Sequence, residues 1–394
     1  MQTQTRVLMV LESVFPTPGG GGAESQVRTL GLHLPGRGVS VSVIVPMVRY
    51  GPQLQDDRVD GIEVRRIRYP KLPLLGAALM LVKLAWRLFE LRREYGFIHA
   101  HIAGNMAAVC CVMGRLLGKP VLIKLTGMTE MVGGILDPHA GFKGWIKKKL
   151  MRSATHYQAT SSQIARMLVD SGFEARKVQL IPNAVDTARF ETPQRHTTPT
   201  EREAERRTLC GEGKKLVAVY VGRLEKEKDL ELMLTGWAAA FRGNAGVALI
   251  MVGGGGLKAQ LESLAHELGI ADQVIFTGAS STVERYLALA DVGLLTSRAE
   301  GLSNTLLEYM ASSLPVIGTR VSGTEDFVIN GQTGWLFPVG DVQQLQTCLL
   351  AAAGLGSTQL AVLGQNAKAL VISQASISAV VNRLVELYAA SAVV

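Results

Sequence analysis

Short apolar runs recur along this chain with helical spacing between them, and the rhythm starts twice. The runs lie at 7–11, 39–45, 62–67, 97–100, 121–125, 156–159 and 178–181, then again at 216–221, 247–252, 274–277, 292–296 and 316–318. A strand that is apolar on both faces belongs to a parallel sheet covered by helices on both sides. Strand–helix alternation of this kind leads to doubly wound α/β folds. Because the pattern restarts after a polar stretch, two such Rossmann-like sheets are expected, one over 1–190 and one over 191–376. The polar stretch Thr192 to Arg207, with Pro193 and Pro199, is read as the linker and an opening helix. The last periodic segment, Ile377 to Ala390, is read as a final helix. A length of 394 residues suits two or three domains, and 47% hydrophobic against 19% charged residues is ample for buried parallel sheets.

Charge separates the halves. Residues 1–190 carry 25 Lys and Arg against 13 Asp and Glu, whereas 191–394 carry 16 against 20. Two segments concentrate the excess. The first, 71–93, joins an apolar stretch to Lys83, Arg87, Arg92 and Arg93; the second, 141–152, sets Phe142, Trp145, Ile146 and Leu150 among Lys143, Lys147, Lys148 and Lys149. Basic amphipathic helices with aromatics can rest on an anionic membrane surface. Core helices with a solvated basic face are the plainer alternative. Nucleic acid is set aside as a partner, since aromatics are 6% of the chain and no recognition motif occurs. Four cysteines, two of them the adjacent Cys110 and Cys111, give no disulfide framework and suit a reducing cytoplasm. The start MQTQTR runs directly into VLMVL without the apolar region of a signal peptide, and Leu72 to Val82 is about half the ~20 residues a membrane span needs. The expected location is the cytoplasm, with a peripheral place on the inner membrane face.

The richest stretch is SRAEGLSNTLLEYMASSLPVIGTRVSG at 297–323. A buried strand precedes it, and Ser303 is a cap signal for a helix over 304–312, so Glu300 falls in the turn and Glu308 within the helix. Backbone N–H groups at Gly301, Leu302 and Ser303 form an anion site that suits a diphosphate. Glu300 then faces what hangs from the phosphate, and Glu308 can accept hydrogen bonds from the vicinal hydroxyls of a ribose. Taken alone, both are also ordinary helix-end acids.

Upstream, the strand 216–221 ends in Gly222 and Arg223, with Lys228 shortly after. Ligands of open α/β sheets collect at the carboxyl ends of strands. Two cations there can neutralise a leaving diphosphate in place of a metal. No Asp-x-Asp pair and no His, Cys and carboxylate set at ligand spacing occurs, so neither metal nor cofactor is expected. A solvated charged loop is the competing reading of Arg223 and Lys228. The glycine run Gly253 to Gly256 lies between a strand and a helix, where Gly254 could admit a ligand to the backbone. It lacks the G-x-G-x-x-G fingerprint, and tight turns explain most of its glycines.

The set GRLEKEK, VGGGG, VIFTG and EGLSNTLLE followed by PVIGTRVSG resembles the donor domain of the GT-B glycosyltransferases, specifically the retaining family 4. At the other end, VLMVLESVFPTPGGGGAESQV is similar to that family's first strand, glycine-rich loop and first helix, with Gly21 and Gly22 in the loop. The resemblance implies two Rossmann-like domains facing across a cleft, with residues 377–394 crossing back to the first. It implies that Arg223 and Lys228 bind the donor diphosphate, Glu300 contacts the sugar, Gly301 to Ser303 donate from the backbone and Glu308 holds the ribose. The partners implied are a nucleotide-sugar donor and a saccharide or lipid-linked acceptor, in a retaining hexosyl transfer. Two departures stand out. Asp229 occupies a position where the family commonly has glycine, and KLTGMTE puts Thr126 and Gly127 where many members have His-Gly. A histidine at the reacting centre is therefore unsupported, and His99 and His101, at a strand end, read as structural. A nucleotide-sugar 2-epimerase of the same architecture and a silent nucleotide-sugar-binding subunit are the rival readings; the Glu300 to Glu308 motif disfavours the first, and intact Arg223, Lys228 and Glu300 the second.

Overall fold

The computed structural model describes residues 5–16, 21–47, 54–127, 130, 134–137, 139, 141–196 and 198–391. The chain forms two compact units, one of residues 1–184 with 377–394 and one of residues 185–376. The break at Ala184/Val185 lies ahead of the 190/191 division read from the sequence.

The first unit contains β1 (Thr5–Leu11), α1 (Gly22–His33), β2 (Val39–Pro46), β3 (Asp56–Val59), β4 (Ile62–Ile67), α2 (Leu75–Glu90) and β5 (Phe97–His101). It continues with α3 (Asn105–Leu117), β6 (Val121–Leu125), α4 (Gly141–Met151), β7 (His156–Ala159), α5 (Ser162–Asp170) and β8 (Val178–Leu180). The sheet order is β3-β4-β2-β1-β5-β6-β7-β8, and every pairing is parallel except β3 with β4. One sheet face packs under α2, α3 and α5 through Leu84, Ala107, Cys111, Ile164 and Leu168. The other packs under α1 and under a helix from the far end of the chain, Ile377–Ser391, which buries Val380, Val381, Leu384 and Tyr388.

The second unit opens with α6 (Thr187–His196) and α7 (Pro199–Cys210), followed by β9 (Leu216–Val221), α8 (Leu230–Phe241), β10 (Val247–Val252), α9 (Lys258–Glu267) and β11 (Val274–Gly278). Then come α10 (Val283–Leu289), β12 (Val292–Leu295), α11 (Asn304–Ala311), β13 (Val316–Thr319), α12 (Thr324–Phe327), β14 (Gly334–Phe337), α13 (Val342–Gly354) and α14 (Ser357–Ala375), after which the helix 377–391, α15, returns to the first unit. Its sheet is fully parallel in the order β11-β10-β9-β12-β13-β14. The two sheets are therefore Rossmann-like.

One reading needs correction, and two strands had no counterpart among the apolar runs. The opening helix expected within 192–207 is α7, which starts at Pro199 behind a Thr198 and Glu201 capping box with bonds of 2.8 and 3.2 Å, but the linker expected ahead of it is taken up by α6, which runs to His196. The charged residues Glu201, Arg202, Glu203 and Arg207 lie on exposed helix surface, because an amphipathic helix needs few apolar positions. Two edge strands, β3 and β14, lack the uniform apolar run of a central parallel strand. The DDRV of β3 is charged because it lies at the sheet edge, and the GWLF of β14 opens on a glycine whose Cβ would stand 2.0 Å from Val316 O.

Candidate active site

At the carboxyl end of β9 the backbone N–H of Val221 donates to the Tyr309 hydroxyl of α11 at 2.6 Å, which fixes the strand end against that helix. The chain then turns through Gly222 and Arg223 close beside the turn after β10. A Cβ on Gly253 would lie 1.8 Å from Gly222 O, and one on Gly255 would lie 2.4 Å from Leu224 O. Those two glycines exist to let two strand-end turns touch, the tight-turn role read from the sequence. Gly254 and Gly256 are free of such collisions, and the Gly254 carbonyl accepts from Leu224 N at 2.9 Å.

After Arg223 the residues Lys226–Lys228 make a single 3-10 turn that ends at Asp229 with φ +50° and ψ +48°. That left-handed conformation costs a non-glycine residue about 1–2 kcal/mol, which is the physical reason glycine suits the position. Asp229 offsets part of the cost with an ion pair, its buried carboxylate accepting from the exposed Arg298 guanidinium at 3.0 Å. Two further bonds join the same turns: Thr296 Oγ1 donates to Lys228 O at 2.7 Å, and Arg298 N donates to Glu227 O at 3.0 Å. The departure at Asp229 thus leaves the turn in the glycine-like conformation and adds a tie of its own. Sequence reading missed Arg298, whose only signal is that it lies two residues before Glu300.

These ties bring Lys228 and Glu300 together. Lys228 Nζ bonds Glu300 Oε1 directly, and Ser297 Oγ donates to the same oxygen at 2.8 Å. Ser297 is itself set by Thr319 Oγ1, which donates to its carbonyl at 2.7 Å. Arg223 stands on the neighbouring turn with its guanidinium exposed, paired to Glu227 at 2.8 Å and not to Glu300. Gly301 and Leu302 are buried; a Cβ on Gly323 would come within 2.3 Å of Gly301 O and 2.7 Å of Leu302 Cα. Ser303 caps α11, its hydroxyl accepting from Leu306 N at 3.4 Å.

Glu308 follows more than a turn along α11, which packs against α6 and α14. Burial pushes its carboxyl up to about 7; Arg189 opposes the shift and Glu284 adds to it. Arg189 is held by Glu284 at 2.7 Å and by Ser281 O at 3.2 Å. Neither Arg189 nor Glu284 was legible as a site residue, because each lies on a different helix with no motif around it.

In the first unit, Gly21 is the N-cap of α1 and Gly22 its first residue, and a Cβ on Gly21 would fall 1.9 Å from Glu24 Oε2. Gly19 and Gly20 lie outside the described residues. Thr126 is turned onto the buried Glu130, its hydroxyl 3.3 Å from both carboxylate oxygens. The same carboxylate accepts from Gly127 N at 2.8 Å and Ala103 N at 3.0 Å, so Glu130 pins the loops after β5 and β6 together. His99 and His101 are fully buried and stacked with ring centroids 4.1 Å apart; His99 Nδ1 meets the Tyr388 hydroxyl of α15 at 2.8 Å. Burial, with buried Lys124 close by, holds His99 down to about 3 and His101 well below the usual imidazole range, so both are neutral. His99 Nε2 and both ring nitrogens of His101 lack a hydrogen-bond partner among the described residues.

Two Rossmann-like units with the site of the second built at the carboxyl ends of β9 and β12 define a GT-B protein. The first unit matches the model of "Glycosyltransferase Family 4" over residues 20–189, and the second that of "Glycosyl transferases group 1" over 201–369. The chain belongs to the GT-B glycosyltransferases of the group 1/family 4 type. Among its relatives, the alpha-D-kanosaminyltransferase of Streptomyces kanamyceticus is 29% identical over 79% of this chain and 85% of its own. The GDP-mannose-dependent alpha-(1-6)-phosphatidylinositol monomannoside mannosyltransferase of Mycobacterium tuberculosis is 28% identical over 84% of each. HepE of Anabaena, solved with UDP and glucose, superposes with a TM-score of 0.76 at 19% identity, covering 98% of this chain and all of the other.

Proposed function

We propose that this glycosyltransferase moves a hexosyl unit from a nucleoside diphosphate sugar to a saccharide hydroxyl, with retention at the anomeric carbon and without a metal ion. The observation that carries the reading is the meeting of Lys228 with Glu300, residues 72 apart in sequence, in a turn that also presents Arg223. With donor bound, Lys228 and Arg223 face the diphosphate and Glu300 orients the sugar, while the backbone of Gly301 to Ser303 meets a phosphate and Glu308 accepts from the ribose hydroxyls. The relatives support a nucleotide-sugar donor: one is named for GDP-mannose, and the Anabaena neighbour binds UDP.

The acceptor oxygen attacks the anomeric carbon on the face that the leaving phosphate departs from. The carbon–phosphate-oxygen bond breaks, the new glycosidic bond forms, and the acceptor's proton passes to the departing phosphate oxygen. The two cations stabilise charge that grows on that oxygen, which is where preorganised charges act most strongly. Glu300 positions the sugar and its developing positive charge and is not required as a nucleophile.

The acceptor in this reading is a lipid-linked saccharide of envelope or exported polysaccharide synthesis, met at the cytoplasmic face of an anionic membrane. The basic excess of the first 190 residues supports it, as does the relative named for phosphatidylinositol monomannoside. Among the described residues no single helix is long and apolar enough to cross a membrane. The test is an assay of donor turnover against a nucleotide-sugar panel, with the product's anomeric configuration read by proton NMR. An α product from an α-linked donor, formed undiminished in EDTA, is expected. Inversion refutes the mechanism, and loss of activity in EDTA that a divalent ion restores refutes the metal-free assignment.

A further inference from the structure

Helix α2 carries two apolar stripes. Gly76, Met80, Leu84 and Leu88 recur every four residues and are buried. Leu75, Leu79, Val82, Trp86 and Phe89 recur at intervals of four and three, which places them along one line of the helix, and that line faces solvent. Val82 is 65% and Trp86 66% exposed. A helix that merely covers a sheet has one apolar stripe, and the second has nothing in this chain to cover it among the described residues. Helix α3 packs between α2 and α4 and adds exposed Leu116. On the far side α4 shows Phe142, Trp145, Ile146 and Leu150, with the Phe142 and Trp145 rings stacked at 5.9 Å. Most of the exposed large apolar side chains of the described residues lie on these three helices and the turn before α2. Such a concentration of exposed apolar side chains on neighbouring helices marks a binding face.

Its occupant is indicated by charge. Arg92 lies over the Phe89 ring at 4.2 Å, and Lys149 lies 5.2 Å from the centre of the Trp145 ring. Arg92, Lys143 and Lys149 have no acidic partner among the described residues. Two copies of this chain meeting here would set basic face against basic face, whereas anionic phosphates would neutralise it. We propose that α2, α3 and α4 form one continuous docking face for an anionic lipid bilayer, with Trp86, Phe89, Phe142 and Trp145 seated at headgroup depth and Arg92, Lys143 and Lys149 at the level of the phosphates. This deepens the lipid-linked acceptor reading by naming the surface that meets the membrane. It joins α3 to the two segments the sequence suggested separately.

The experiment is sedimentation of the full chain with phosphatidylcholine vesicles, with and without phosphatidylglycerol. Binding is expected only with phosphatidylglycerol and is reversed by salt. The double substitution Trp86→Glu and Trp145→Glu lowers the partition coefficient by about tenfold or more. Both side chains are exposed, so the thermal melt of the full chain is unchanged and verifies that the variant is folded, and nucleotide-sugar binding by the second unit is unchanged. Equal partition of parent and variant overturns the docking face, as does a parent that ignores anionic vesicles or a dimer that the substitutions dissociate. A parent that glycosylates a detergent-dissolved lipid-linked saccharide without binding vesicles loses the docking face and keeps the acceptor reading. One that binds vesicles through these residues but refuses every such acceptor does the reverse.

Discussion

Replacing Glu308 with glutamine isolates one titratable group in the donor site. The Glu308 carboxyl sits at about 7 because burial on α11 disfavours its charge, with Glu284 adding to the shift and Arg189 resisting it. In the proposed role it accepts hydrogen bonds from two ribose hydroxyls, which requires the ionised form. At pH 8 about nine-tenths of the free sites are ionised and at pH 6 about one-tenth, so donor affinity falls about tenfold between them, roughly 1.4 kcal/mol. The same shift acts on stability with a definite sign. The folded state keeps a proton that the unfolded chain loses near the ordinary 4.5, so this group's contribution falls as pH rises from about 4.5 through about 7. The assay is titration calorimetry with the tightest ligand of a UDP-, GDP- and ADP-sugar panel, whose diphosphate diester does not titrate in this range. Glu308→Gln should bind weakly at both pH values with a flat profile. A flat profile in the parent, or a slope that survives in the variant, refutes the assignment of Glu308 to the ribose.

Arg223→Ala and Lys228→Ala should each lower kcat by about 10²-fold with a smaller change in donor affinity, measured by steady-state kinetics; losses confined to KM would show uniform binding instead of transition-state stabilisation. Asp229→Ala keeps the left-handed strain and loses the Arg298 pair, whereas Asp229→Gly loses both, so thermal melts should find alanine less stable than glycine by about 1 kcal/mol. The reverse order refutes the strain argument. Gly253→Ala drives a methyl group into Gly222 O and should cost about 1–3 kcal/mol in chemical denaturation, while Gly254→Ala, which meets only Ala279 Cβ at 3.7 Å, should stay near the parent. Equal effects at both positions would remove the case for close backbone approach.

The two parallel sheets were legible because a strand buried on both faces must be apolar throughout, so its composition alone announces it. The start of α11 was legible for a similar reason: Ser303 caps its own helix, a bond that spans three residues and needs no partner from elsewhere. The edge strands β3 and β14 were not legible, since DDRV is charged and GWLF is a four-residue strand that opens on a glycine, whereas the edge strands β8 and β11 fall on the apolar runs 178–181 and 274–277. Within the site, the sequence supplied the chemical types at Arg223, Lys228, Glu300 and Glu308. Only the tertiary structure decided that Lys228 pairs with Glu300 while Arg223 turns to Glu227, because that choice depends on bonds between turns about 70 residues apart. It alone set the Glu308 carboxyl near 7, since burial is a property of the packed helices around a residue and not of its neighbours in the chain. And it alone turned one stripe of α2 outward. Composition could count the leucines and aromatics of 75–89, but which of two apolar faces meets the core is decided by the sheet and by α3, whose residues lie elsewhere in the sequence.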